Sequence, residues 1–417
     1  MRILIVSQWF DPEPTFKGLT FAQELVARGH EVEVLTGFPN YPGGRVYPGY
    51  RIRPWRRETI NGVRVTRVML YPSHDRSAVR RMLNYLSFAA AATIGGSLLV
   101  GDVDVVYVYH PPLTAAIPAL VIGFLRRAPT VLDIQDLWPD SLAATRMFES
   151  SVGMRVLGAI CRLVYGAATK VATLCPGMAR TLVERGVPND KVQAIYNWCD
   201  EVSMVADQRD SLVAPLRVDD QPPPLKVLFA GNMGPAQGLD TVLDAAALCA
   251  ASVPHARFVF VGGGIDRARL ESRAAAEKLS NVEFLPRRPP SEMGELLASA
   301  DLLLVHLRRD PLFSITIPSK TQAYMAAGRP ILMAVHGDAA DLVRAAGAGI
   351  VCPPSDPAAL ADAVRRFAEL PTAQRAAMGD DGRAYYKKHL SLAVGVSHFE
   401  SLFHAAAQSF SPTFERS

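Results

Sequence analysis

Cysteine is scarce in this 417-residue chain: five residues, an odd number, with no CxxC pair. That argues against a disulfide-stapled scaffold and for reduced thiols in a cytoplasmic protein. Nine histidines include no HExxH or comparable ligand spacing, so no metal centre is expected. The opening apolar run, Ile3 to Val6, stops at Ser7-Gln8 and reads as a first strand rather than a secretory signal. Acid is missing from one stretch: residues 41–81 hold ten arginines against Glu58 and Asp75 alone. Basic residues are missing from another. The glycine-rich segment Phe229-Ala-Gly-Asn-Met-Gly-Pro-Ala-Gln-Gly-Leu-Asp240 looks like a phosphate cradle, in which bare backbone N–H groups can approach an anion, yet it holds no lysine or arginine.

What is present describes a folded α/β chain. Hydrophobic residues make up 49% and charged residues 20%, a globular balance. Apolar runs alternate with helical patterns: strands are predicted at 3–7, 31–36, 63–70, 103–109 and 130–134, with a long helix at 18–28. The pattern dissolves at 206–224, where Gln221-Pro-Pro-Pro224 reads as a linker. It then restarts, with strands at 226–230, 257–261, 282–285, 302–307, 331–334 and 350–351 and helices between them. Strands alternating with helices predict parallel sheets. Two doubly wound, Rossmann-like domains are therefore expected, 1–205 and 225–392, with 393–417 a final helix. Ligands of such sheets bind beyond the carboxyl ends of the strands. Asp102-Val-Asp104 resembles a DxD metal motif but precedes its strand, at the wrong edge for a site. Gly262-Gly-Gly264 lacks a full dinucleotide fingerprint and does not argue for NAD.

Two segments bear on location. Met82 to Val100 is apolar and almost long enough to span a bilayer, but both flanks belong to one α/β domain, so it reads as a helix buried between layers. The arginine run at 41–81 is interleaved with Tyr41, Tyr47, Tyr50, Trp55 and Tyr71. It reads either as a solvated surface or as a surface for anionic lipid headgroups. No nucleic-acid module accompanies it. A peripheral protein on the cytoplasmic face of the inner membrane fits this pattern.

The ordered motifs Trp9-Phe-Asp-Pro-Glu-Pro14, Gly29-His-Glu-Val-Glu-Val-Leu-Thr36, Tyr109-His-Pro-Pro112, Asp133-Ile-Gln-Asp-Leu-Trp-Pro-Asp140, the glycine loop and Pro318-Ser-Lys-Thr-Gln-Ala-Tyr-Met-Ala-Ala-Gly-Arg-Pro330 together resemble the GT-B glycosyltransferases of family 4. The stretches Gly37-Phe-Pro-Asn-Tyr-Pro-Gly-Gly44, Tyr71-Pro-Ser-His-Asp75 and Tyr196-Asn-Trp-Cys-Asp200 are similar to the branch that transfers N-acetyl-L-fucosamine in O-antigen or capsule assembly. The resemblance implies two domains facing a central cleft, a last helix crossing back to the first domain, and retaining transfer. It also implies a UDP-sugar donor, no cofactor or metal, and an undecaprenyl-diphosphate-linked saccharide acceptor.

Departures from the family pattern shape the expected site. Asn232 and Gln237 stand where the family has an arginine and a lysine in the donor loop, and Ile315 and Ala323 stand where it has two glutamates. Gly231, Asn232, Gln237, Gly238, Ile315 and Thr316 are expected on the donor side. The missing charge is expected from Lys320, which opens a helix already started by Pro318-Ser319, and from Lys17-Gly18 at the start of the first long helix. Arg287, with Arg288 beside it, is a further donor-side candidate. His110, at the end of a strand and before a proline, is the expected catalytic group, with Asp136 orienting it or accepting a proton. Glu13 and Asp140 are expected toward the acceptor; helix capping is the other reading of Asp140. Two rival readings remain, a GT-B-fold UDP-sugar 2-epimerase and a nucleotide-sugar-binding membrane adaptor without catalysis.

Overall fold

A computed structural model describes residues 1–73, 77–141, 151–204 and 224–410. The chain forms two compact units, Met1–Ile195 joined by the residues from Val396 onward, and Tyr196–Gly395. The expected linker 206–224 lies, apart from Pro224, outside the described residues, as do His74 and Asp75 of the Tyr71 motif.

The first unit is built on an eight-stranded sheet. Its strands are β1 (Arg2–Val6), β2 (Glu31–Gly37), β3 (Trp55–Ile60), β4 (Val63–Val68), β5 (Val105–His110), β6 (Thr130–Ile134), β7 (Lys170–Thr173) and β8 (Val192–Ala194). They lie in the order β3-β4-β2-β1-β5-β6-β7-β8. All neighbours are parallel except β3 and β4, a hairpin turning at Asn61-Gly62, both with positive φ (45° and 85°) as a tight hairpin turn requires. The central strands β5 and β6 are buried at every residue, as parallel strands covered on both faces must be. The order reverses between β1 and β5, so the loops after those two strands flank the switch point where such sheets bind ligands.

The second unit carries β9 (Leu225–Ala230), β10 (Ala256–Val261), β11 (Val282–Leu285), β12 (Leu302–His306), β13 (Ile331–Ala334) and β14 (Gly349–Val351). Their order is β11-β10-β9-β12-β13-β14, all parallel. Here the switch point falls between β9 and β12. The glycine loop follows the first of these strands and His306 ends the second.

Two expectations need correction. The first unit ends at Ile195 rather than 205, because 196–204 is tied into the second unit. Glu201 accepts hydrogen bonds from the Tyr386 hydroxyl and the Leu392 amide, both at 2.8 Å, and Trp198 packs so closely on Gly395 that a Cβ there would meet its ring at 2.4 Å. The last helix, Leu392–Phe410, starts in the second unit and belongs to the first from Val396, as expected of a helix that crosses back. Finally, the apolar helix Ala78–Leu99 is not buried between layers. It packs one face on β2, β4 and the helix Ala116–Arg126, and leaves the other face open. The stretch Val79–Leu99 is long and apolar enough to cross a membrane, with a mean hydropathy of 1.3. The strands before and after it, β4 and β5, nevertheless share one sheet.

The arginine–aromatic run is also partly internal. Arg67 is fully buried, donating to Glu58, to the carbonyl of Gly37 and to that of Asp11. Tyr50 stacks under Arg56 and Arg67, and Tyr41 lies 4.7 Å from the Trp9 ring. Part of the run therefore holds the edge hairpin together, while Arg45, Arg51, Arg53, Arg57 and Arg64 stay exposed.

Candidate functional site

In the second unit the glycine loop is held open by a second glycine turn. The amide of Gly231 donates to Val261, and that of Met233 donates to Gly263. Gly262 sits at φ +139°, where a Cβ would lie 2.0 Å from the carbonyl oxygen of Gly231; at Gly264 a Cβ would lie 2.2 Å from that of Met233. No larger residue fits at either position. Gly262→Ala is expected to cost about 2 kcal/mol of stability, read as a lower thermal midpoint; an unchanged midpoint would show that the two turns can part.

Lys320 reaches this loop from the other side. It opens the helix Lys320–Ala327, whose Tyr324 hydroxyl accepts from the Ala230 amide at 3.0 Å and so docks the helix on the end of β9. One helical turn earlier on the same face, the Lys320 ammonium lies 3.8 Å from the centre of the Phe229 ring. It is also 3.2 Å from where a Gly231 side chain would begin. Nζ is buried and has no hydrogen-bond partner among the described residues. Burial pulls its pKa down to about 7. A buried cation with no anion beside it, set against a loop of exposed glycine backbone, is a half-made ion pair.

His306 is the member of this group that sequence reasoning missed. It is buried at the end of β12, its Nδ1 donates to the carbonyl of Gln237 at 2.5 Å, and its Nε2 accepts from the Ser355 amide. This fixes the neutral tautomer; burial also lowers its pKa, followed by the nearby Lys320 charge after the opposing effect of the Gln237 bond. Gln237 itself turns its side-chain oxygen back to the amide of Gly234 at 3.1 Å, so it shapes the loop. Gly238 takes the left-handed conformation (φ +56°) that carries the chain past Arg308 and His306. Asn232 is exposed at the loop's rim. Ile315 and Thr316 follow the short helix Pro311–Ser314, with the Thr316 hydroxyl donating to Leu312 at 2.9 Å. Gly337 packs on the carbonyl of Ser314, which fixes that segment. Arg287 and Arg288 are exposed beyond the edge strand β11, two strands from the loop, and Arg288 pairs with Glu292 at 3.3 Å.

In the first unit His110 ends β5 with no exposed surface. Its ring meets Trp138 and Tyr165 edge-on, with centroids 5.9 and 6.4 Å away. Neither nitrogen has a hydrogen-bond partner among the described residues. Desolvation brings its pKa down to about 4, so the imidazole is neutral at physiological pH. Behind Trp138 and Tyr165 a groove of about 460 Å³ opens, lined also by Met154, Cys161, Arg155 and Arg185. Asp140 lies in its wall, paired with Arg185 at 2.7 Å. Asp136 is exposed on the loop after β6.

Two side chains expected at the site prove to be interior. Lys17 does not face an open surface: it is wholly buried, paired with Asp133 at 2.6 Å and stacked on Phe399. Asp133 also accepts from the Tyr107 hydroxyl and the side-chain Nε2 of Gln135, so this charge is neutralised inside the unit. Gly18 is there for space, since a Cβ would meet Asp11 at 2.3 Å; the Asp11 carboxylate accepts from the Leu19 amide and occupies the helix start meant for an anion. Glu13 is likewise interior. It accepts from the backbone amides of Phe10, Asn40 and Tyr41, and burial raises its pKa to about 7 against those bonds. It organises the loop after β1 instead of reaching a ligand. The Asp102-Val-Asp104 pair is spent on Arg2 at the amino edge of the sheet. Among the described residues no group of three His, Cys, Asp or Glu side chains is placed to hold a metal ion.

Comparison with known proteins adds the following. Residues 19–198 match the family described as glycosyl transferase 4-like domain, and residues 218–385 match glycosyl transferases group 1. The chain is 30% identical over 339 residues to the putative colanic acid biosynthesis glycosyl transferase WcaI of Escherichia coli (strain K12), covering 79% of this chain and 82% of the relative. It is 27% identical to the probable glycosyltransferase WbjE of Pseudomonas aeruginosa, over 58% of this chain and 60% of the relative. Among solved structures, Anabaena HepE in complex with UDP and glucose superposes with a TM-score of 0.65 at 14% identity, covering 97% of this chain and all of HepE.

Proposed function

Since the chain belongs to the group 1 glycosyltransferases and is a transferase enzyme of that two-domain fold, we propose that it moves a sugar from UDP to a polyprenyl-diphosphate-linked saccharide during bacterial surface polysaccharide assembly. The sugar we favour is N-acetyl-L-fucosamine or a related N-acetylated deoxysugar, transferred with retention, on the motif resemblance described above. The names of the relatives, one in colanic acid biosynthesis, support the polysaccharide setting. The donor side rests on one observation, the buried and unpartnered Lys320 ammonium against Gly231. A diphosphate there would complete the ion pair and accept from the loop amides, and those bonds would strengthen as charge builds on the departing UDP. Asn232 at the rim would add a neutral donor. Gly231, Gln237, Gly238 and His306 would hold the loop in shape, and Ile315 and Thr316 would lie along the donor sugar.

On the acceptor side, His110 would contact the reacting hydroxyl or the donor sugar, and the groove behind Trp138 would receive the saccharide, with Asp140 and Arg185 in its wall. Asp136, exposed nearby, would steer or deprotonate the hydroxyl. We place the enzyme on the cytoplasmic face of the inner membrane, where a polyprenyl-linked acceptor is met, and expect no metal in the reaction. The test is a panel of UDP-sugars incubated with membrane extract containing lipid-linked saccharides, the product read by mass. Addition of one sugar to a lipid-linked species is expected from a single donor. An epimerised UDP-sugar formed without acceptor would overturn the reading in favour of an epimerase.

A further inference from the structure

Three helices of the first unit, Ala78–Leu99, Ala116–Arg126 and Ser151–Ala167, contain no aspartate or glutamate. Helices of ten or more residues in the second unit all carry at least one acid, such as Asp240 and Asp244 in Asp240–Ser252 or Asp380 and Asp381 in Thr372–His389. The bias is therefore local. These three helices follow β4, β5 and β6, which lead step by step in one direction across the sheet. Because parallel crossovers are right-handed, all three lie on the same sheet face. The first two touch directly: a Cβ on Gly96 would lie 2.5 Å from Ile122.

Each helix turns apolar residues outward. On Ala78–Leu99, Phe88 and Ala92 face the sheet, while Leu83, Leu86, Ile94 and Leu98 face out at helical spacing, Leu98 being 77% exposed. On Ala116–Arg126 the outward residues are Ile117, Phe124 and Leu125, Phe124 being 82% exposed. On Ser151–Ala167 they are Val152, Val156, Ile160 and Leu163. Such a run of exposed large side chains exceeds what a surface open only to water usually carries. Within the three helices the charges have one sign: Arg80, Arg155 and Arg162 are exposed on them, and Arg127 follows the second.

We infer that this three-helix face docks on an anionic lipid bilayer, its leucines and phenylalanine entering the acyl boundary and its arginines meeting headgroup phosphates. Helices that are apolar outward and carry only basic charge along their length match that partner, and amphipathic helices with basic residues lie in the interface plane for this reason. The inference rests on the surface itself, not on the sugar or acceptor assigned above. It also moves the lipid contact away from most of the 41–81 run, in which Tyr41, Tyr47, Tyr50 and Arg67 make internal contacts, to a three-helix face that takes in only Arg80 of that run's exposed arginines.

The experiment is flotation of the full chain with phosphatidylcholine vesicles, with and without phosphatidylglycerol. The unmodified chain is expected to float with the anionic vesicles and far less with the neutral ones. Leu98→Ser with Phe124→Ser should weaken that partition about tenfold or more, with an unchanged thermal midpoint because both side chains are exposed. Arg155→Glu with Arg162→Glu should weaken it by roughly fivefold per site or more, on anionic vesicles only. Arg51→Ala with Arg53→Ala, in the exposed part of the arginine run, should float as the native chain does. Failure of the native chain to float would overturn the inference, as would undiminished flotation of the serine variant. So would loss confined to Arg51 and Arg53, or light scattering that shows a dimer broken by the serine substitutions, which would make the face a contact between two copies of the chain.

Discussion

Lys320→Met is expected to weaken UDP binding about 100-fold while making the unliganded protein more stable. The two effects have one cause. The ammonium is buried against Phe229 and Gly231 with no anion beside it among the described residues, and its pKa falls from 10.5 to about 7. A folded-state pKa below the unfolded one means that the unfolded chain binds more protons between pH 7 and 10.5. The penalty is therefore fully present below pH 7 and is relieved as pH rises toward 10.5. Replacing the lysine with methionine removes it, and the gain at pH 6 should be about 2 kcal/mol, below what the whole shift would imply because part of the residue reaches solvent. UDP acts on the same group in the opposite sense. A diphosphate beside Nζ restores the charge, so above pH 7 binding takes up a proton and affinity falls as pH rises. Calorimetry in buffers of different ionisation enthalpy measures that uptake, and thermal unfolding at pH 6 and 9 measures the stability. Asn232→Ala, which removes only an exposed neutral donor, should change affinity much less. Equal UDP affinity in the native, Lys320→Met and Asn232→Ala proteins would remove Lys320 from the donor site.

The same residue shows what the sequence makes legible and what it hides. Pro318-Ser319 announces a helix start, the strand-loop-helix pattern at 225–252 announces a glycine cradle, and the absence of charge inside that cradle calls for a cation from elsewhere. Those are local signals and can be read in one dimension. The doubly wound parallel class follows from the same kind of signal, because short apolar runs alternate with helices, but the order of the strands does not, and β3, β7 and β8 are not among the strands predicted. Lys17 and Glu13 show the limit. Each is a charged residue in a loop beside a helix start, the usual look of a ligand contact, yet each is buried. Lys17 is neutralised by Asp133, 116 positions away, and Glu13 by the amides of Asn40 and Tyr41. Nothing adjacent to them reveals those partners. His306 fails in the other direction: at the end of Leu302-Leu-Leu-Val-His306 it looks like a strand terminus, and its grip on Gln237 exists only because β12 lies next to β9. The helix Ala78–Leu99 departs from expectation because composition counts apolar residues without saying which face they are on; among its described apolar side chains only Phe88, Ala89 and Ala92 are buried.

His110→Phe is expected to lower kcat by about 10³-fold while leaving UDP affinity unchanged. Phenylalanine fills nearly the same space between Trp138 and Tyr165, so the loss cannot be blamed on a cavity. What disappears is a pair of ring nitrogens that have no partner among the described residues, in a fully buried position. Leaving two such groups unsatisfied is costly, and the cost is met when substrate supplies a hydroxyl or ring oxygen. With its pKa lowered to about 4, the imidazole is neutral throughout the range in which the enzyme would be assayed. It can therefore donate from one nitrogen and accept at the other, and its own titration should leave no inflection in kcat between pH 6 and 8. The titration appears in stability instead. Because the folded pKa lies below the unfolded 6.5, the unfolded chain binds the extra proton between pH 6.5 and 4, and the native protein loses stability as pH falls through that window. In His110→Phe this component of acid destabilisation, about 3 kcal/mol at most, should be gone. Turnover measured at saturating donor and unfolding followed from pH 7 to 4 therefore read the same ring by independent routes. Full activity in the phenylalanine variant would exclude His110 from the reaction even if the acid stability changed as expected. Lost activity with an unaltered acid profile would place the imidazole in water and contradict its burial.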